Sequence, residues 1–106
     1  MNMHSYKYQC CTANGEISKA LEKLSSNLKI IADSSRIKIL CILNRESSCV
    51  CDLACKANLS QSLTSHHLKD LKSIDLLRAI KKDKKTIYSL SQKGKEVINL
   101  IFKIKT

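Results

Sequence analysis

A mainly α fold with one small β-hairpin is what this sequence predicts, and three observations carry that expectation. Apolar residues recur at spacings of three and four through most of the chain. A short helical segment after Cys49 is followed by Asn58, Ser60 and a second, polar-faced helical segment. Two β-rich apolar runs, 77–80 and 86–90, flank the basic stretch Lys81-Lys82-Asp83-Lys84-Lys85. The 106 residues suit a single domain. A hydrophobic share of 43% marks a globular chain, and an aromatic share of 4% makes its core aliphatic.

Residues 1–16 are read as an N-terminal arm, polar and without periodicity, holding the vicinal pair Cys10-Cys11. The folded domain is expected over 17–106. Residues 17–32 place Ile17, Leu21, Leu24, Leu28 and Ile31 on one helical face. Asp33-Ser34-Ser35 supplies capping oxygens for a helix over 34–43, which is apolar nearly all round and so belongs at the centre of the core. Residues 44–48 read as a polar loop. Cys49 then stands at a helix N-cap, with Cys51 and Asp52 in the first turn of a helix ending near Ala57.

Asn58 tolerates the left-handed backbone that a tight turn between helices demands. Leu59 plugs that turn and Ser60 caps the next helix. This is a helix-turn-helix. Residues 74–77 close the second helix, and the strand–lysine tip–strand unit follows. Ser91 caps a last helix running to about Lys103, with Val97, Ile98, Leu100, Ile101 and Ile104 as its apolar face. A helix-turn-helix followed by a basic hairpin is a winged helix.

The net charge of +10 favours a polyanionic partner, nucleic acid foremost. It is concentrated late in the chain: residues 69–106 carry 11 basic against 4 acidic side chains, and residues 1–68 carry 8 against 5. No segment has the aromatic amphipathic face of a membrane-surface helix, so no membrane partner is expected. Ser60, Gln61, Ser62, Thr64, Ser65, His66 and Lys69 are the candidate DNA contacts on the second helix, with Leu63, Leu68 and Leu71 turned inward. Of the adjacent His66 and His67, one is expected to pack and the other to meet DNA, since neighbours on a helix diverge by about 100°. Lys81, Lys82, Lys84 and Lys85 are expected to straddle phosphates. The apolar surplus of the first and last helices points to a homodimer.

Six cysteines without an apolar leader in residues 1–11 suggest a reducing cytoplasm, where clustered thiols bind metal or sense redox state. Cys49 and Cys51 at a helix N-terminus are candidate ligands with lowered thiol pKa values. Cys10 and Cys11 have no core to fill and are candidate ligands too. Cys55, one turn beyond Cys51, is either a further ligand or a core residue in the place of alanine. Cys41 reads as a structural thiol within an aliphatic run, and His4 carries no role. No nucleophile–base arrangement, carboxylate pair or phosphate-cradling glycine loop appears, and Gly15 and Gly94 are the only glycines, so an enzyme is not expected. No organic cofactor is expected either.

Residues 28–43 (LKIIADSSRIKILCIL), 49–53 (CVCDL), 60–71 (SQSLTSHHLKDL) and 74–90 together resemble the ArsR/SmtB family of metal-responsive transcriptional repressors. The likeness spans roughly residues 17–102. It implies a homodimer that holds an operator palindrome when metal-free and lets go when a thiophilic ion binds. The resemblance to the cadmium- and lead-sensing branch implies Cys49 and Cys51 acting with arm thiols, here Cys10 and Cys11. The arsenite-sensing branch implies a vicinal pair with one box thiol. The inducer implied is therefore Cd(II), Pb(II), Zn(II) or As(III). Four departures stand out. The arm cysteines are adjacent, Cys55 lies four residues after Cys51, and Ser48 precedes the box. The family's second metal site needs Asp, His and Glu on the last helix; residues 91–106 hold no His and a single acid, Glu96, so that site is expected to be absent. Two rival readings keep the thiols central: the same fold sensing thiol oxidation or persulfides, and a small basic protein with a structural zinc.

Overall fold

The computed structural model describes residues 15–104. Residues 1–14 of the predicted arm, with Cys10 and Cys11, lie outside them, while Gly15 and Glu16, placed in the arm by the sequence, open the first helix instead. Five helices and three short strands follow in the order α1 (Gly15–Ile31), α2 (Ser34–Arg45), β1 (Ser48–Cys49), α3 (Val50–Ala57), α4 (Gln61–Ser73), β2 (Leu77–Lys82), β3 (Lys85–Leu90) and α5 (Gln92–Ile104). The expected mainly helical, winged helix-turn-helix architecture is present.

Local chemistry sets the boundaries. The Asp33 carboxylate caps α2 by accepting from the Arg36 backbone N–H at 3.1 Å. Asn58 ends α3 at φ 57°, ψ 49°, the left-handed conformation expected of it. The Ser60 hydroxyl accepts from Leu63 N–H and opens α4. Ser91 does the same for α5 through Gly94 N–H. Beneath these caps, Ile39 and Leu40 from α2, Leu53 from α3, Leu68 and Leu71 from α4, Leu76 from the turn after α4 and Ile98 from α5 form a core sealed from solvent. Cys41 is half-buried against it.

Gly94 marks a close approach. A β-carbon there would overlap the Leu76 carbonyl oxygen, which already accepts from Ser91 N–H at 3.0 Å. Glycine lets α5 lie directly on the chain that leaves α4.

The sheet is antiparallel, in the order β1-β3-β2. Strand β1 corrects the loop expected over 44–48: Ser48 pairs with Tyr88 and Cys49 with Ile87. Two residues carry no readable periodicity, and their partners lie about forty positions away, so the pairing is a tertiary fact. The wing also differs from expectation. Its strands run to Lys82 and from Lys85, leaving Asp83 and Lys84 as the turn, with Asp83 at φ 57°. Lys81, Lys82 and Lys85 therefore stand on strands, and Lys82 faces Lys85 across the ladder.

Candidate metal centre and nucleic-acid interface

Cys49 occupies the N-cap of α3, but its side chain makes no capping bond. The thiol turns instead to Cys51, with the two sulfurs 3.3 Å apart. One oxygen of the Asp52 carboxylate completes a group whose three donor atoms all lie within 4.8 Å of one another. Cys49 is buried, whereas Cys51 and Asp52 face solvent, so the group opens outward. Two thiolates and a carboxylate are a donor set for a thiophilic divalent ion. Sulfurs sharing a tetrahedral ion at about 2.3 Å stand roughly 3.8 Å apart, so the pair must open by about 0.5 Å to take one. Cys55 is exposed one turn further along and stands outside the cluster.

The expected lowering of the thiol pKa values is not what Cys51 shows. Its pKa is pushed above the ordinary thiol value, first by the hydrogen bond shared with Cys49, then by repulsion from the Cys49 charge and by desolvation. Lys85 on the wing pulls weakly the other way. A Cys51 thiol engaged with a neighbouring sulfur gives up its proton less readily. Asp52 is the ligand candidate that the sequence reading passed over. Its place three residues after Cys49, within one helical turn, was the available signal.

On α4, Ser60, Gln61, Ser62, Ser65, His66 and Lys69 are all exposed. Thr64 is not among them. It is fully buried, and its hydroxyl donates to the Ser60 carbonyl at 2.8 Å, so it cannot reach DNA. Leu63 takes the outward place expected for Thr64 and is 41% exposed. One of the two histidines packs, as expected. His67 is buried, and its Nδ1 accepts from Arg36 Nε at 2.9 Å. Burial first, and then the Arg36 charge, hold its pKa below the ordinary histidine value. His66 is exposed, its Nε2 lying 3.3 Å from an Asp70 carboxylate oxygen. The rings stand 6.1 Å apart and tilted by 51°.

Lys81, Lys82, Lys84 and Lys85 are exposed around the wing tip. Lys56, by contrast, is engaged with Glu46 at 2.5 Å. Leu21, Leu24 and Leu28 of α1 and Leu100, Phe102 and Ile104 of α5 remain exposed, and an apolar groove runs between the C-terminal ends of these helices. No described helix is long and apolar enough to cross a membrane.

Comparison with known proteins places this arrangement in context. Residues 33–79 match the family described as bacterial regulatory protein, arsR family. An arsenical resistance operon repressor of Staphylococcus xylosus is 36% identical over 78 residues, covering 74% of this chain and 75% of that one. The cadmium resistance transcriptional regulatory protein CadC of Listeria innocua is 30% identical over 100 residues, covering 86% and 82%. Among solved structures, the homodimeric winged helix-turn-helix DNA-binding domain of a possible ArsR-family regulator from Mycobacterium bovis superposes with a TM-score of 0.76. It shares 19% identity and covers 89% of this chain and 88% of its own.

Proposed function

This chain belongs to the arsR family of bacterial regulatory proteins, and from that premise we propose that it is a homodimeric repressor released from its operator by a thiophilic metal or metalloid ion. The observation that carries the reading is the position of the thiol pair. Cys49 and Cys51, 3.3 Å apart, sit where the helix-turn-helix begins, and Cys49 is also paired with Ile87 of the wing. A movement at these sulfurs reaches both DNA-facing elements at once.

In this account Cys49, Cys51 and Asp52 hold the ion, joined by Cys10 and Cys11 of the arm, with Cys55 in reserve. Each thiol gives up its proton as it binds. The two relatives named for arsenical and cadmium resistance support As(III) and Cd(II) as inducers, with Pb(II) and Zn(II) suiting the same donors. DNA is held by Ser60, Gln61, Ser62, Ser65, His66 and Lys69 in the major groove, and by Lys81, Lys82, Lys84 and Lys85 on the backbone. The exposed apolar faces of α1 and α5 join two copies, so that two reading helices face two half-sites. The cytoplasm is where such a regulator acts.

The test is a titration of the protein–operator complex with Cd(II), Pb(II), Zn(II) and As(III) under reducing conditions. Anisotropy reports the DNA and thiolate-to-metal absorbance reports the site. A coupling of about 1–3 kcal/mol weakens DNA binding by roughly 5- to 150-fold. If none of the four ions weakens it, the reading is wrong.

A further inference from the structure

Among the described residues, Arg36 is the one side chain whose hydrogen bonds tie α1, α2 and α4 together, and the function proposed above makes no use of it. The guanidinium spends all three nitrogens. Nη1 donates to the Ile30 carbonyl at 3.1 Å, in the last turn of α1. Nε donates to His67 Nδ1 at 2.9 Å, and Nη2 to an Asp70 oxygen at 2.5 Å, both on α4. The Arg36 side chain is 14% exposed and that of Asp70 30%, so this is a partly desolvated cluster and not a surface ion pair. Asp70 also faces His66 on the outer side of α4.

We infer that Arg36 is a positioning residue for operator recognition: it fixes the pitch of the reading helix α4 against the end of α1, and so sets the half-site spacing that the dimer accepts. The inference rests on the DNA-binding dimer proposed above. Its geometry is direct. The apolar face of α1 carries Leu21, Leu24 and Leu28, the side through which two copies meet in that proposal. The α1 carbonyl and the two α4 side chains are therefore the two ends of the path from dimer axis to DNA. A planar fork with fixed donor directions holds them at a fixed angle, which a flexible ammonium does not do. A base pair inserted between half-sites rotates one of them by about 35° and shifts it by about 3.4 Å, so a rigid α1–α4 angle is read out as spacing discrimination.

The experiment uses the metal-free full chain and a duplex recovered from a random-sequence library by the wild-type protein. The same duplex is remade with one base pair added or removed between its half-sites. Wild type should discriminate against both changed spacings on the order of tenfold or more. Arg36→Met should lose most of that discrimination, and Arg36→Lys should not restore it. Leu77→Val, a core change outside the cluster, should retain it, which separates positioning from stability. Asp70→Asn keeps the shape of the cluster and its bonds to His67 and Ile30. It should show a partial loss, and it keeps the test decisive where Arg36→Met does not fold. Unchanged spacing preference in folded Arg36→Met, or in Asp70→Asn where that variant stands in for it, overturns the inference. A wild-type chain that selects no duplex overturns the DNA-binding reading beneath it, a different and recognisable failure.

Discussion

Replacing Lys82 and Lys84 with glutamine removes two of the four basic side chains exposed around the wing tip. The structure says what this does to folding and to binding separately. Lys82 lies directly opposite Lys85 on the β2–β3 ladder, and like charges so placed are destabilising by about 0.2–1 kcal/mol. Neutralising Lys82 therefore leaves the fold as stable as before or slightly more so. Binding should respond in the opposite sense. If each lysine meets one phosphate, a dimer loses four contacts, and the slope of log affinity against log salt becomes shallower by about 3.6. Between 0.1 and 0.3 M salt, wild-type affinity should then fall about 50-fold more than that of the variant. Fluorescence anisotropy on a duplex selected by the wild type, read at several salt concentrations, measures the slope. Lys56→Gln is the matched control, because that lysine is already committed to Glu46, and its slope should stay at the wild-type value. A change of less than about one unit in the double variant would refute the argument that the wing lies on phosphate.

Two further outcomes follow from the interior. Gly94→Ala drives a methyl group into the Leu76 carbonyl and should lower unfolding free energy by about 1–3 kcal/mol or more, read from urea denaturation at fixed protomer concentration. Wild-type stability in that variant would mean that α5 does not lie on Leu76 as described. His67 gives a pH dependence. Burial and Arg36 depress its folded-state pKa below the ordinary 6.5, so below that pH the unfolded chain takes up a proton that the folded chain refuses. The stability that neutral His67 contributes is complete above about pH 6.5 and is lost as pH falls through the folded-state value. Thermal unfolding between pH 7.5 and 5 should show the fall, and His67→Gln should flatten it. An equally steep fall in both proteins would assign the effect elsewhere.

The helices were legible because their signals are local. The caps at Asp33, Ser60 and Ser91 and the left-handed Asn58 each act within three or four residues of themselves. Where pairing runs across the chain, the sequence was mute: β1 and the reach of Arg36 from α2 to Asp70 have no local mark. The face of α4 was misread for a different reason. Hydrophobicity nominated Leu63 as an inward residue, yet Thr64, His67, Leu68 and Leu71 are the buried set. Those four positions follow the spacing of three, one and three that a helix stripe requires, so periodicity outranked side-chain type. A threonine whose hydroxyl is satisfied by the preceding turn packs as a hydrophobe. At the thiols, spacing singled out the pair but not the raised pKa of Cys51, which depends on the sulfur–sulfur contact.

The most direct test compares operator affinity with and without saturating Cd(II) or As(III), in the wild-type chain and in the Cys49→Ser, Cys51→Ser double variant. Wild type should bind DNA roughly 5- to 150-fold more weakly when the ion is present. The double variant should bind DNA normally and hold the same affinity in both conditions. A double variant that still releases its operator on adding the ion would show that the site of control lies somewhere other than the start of α3.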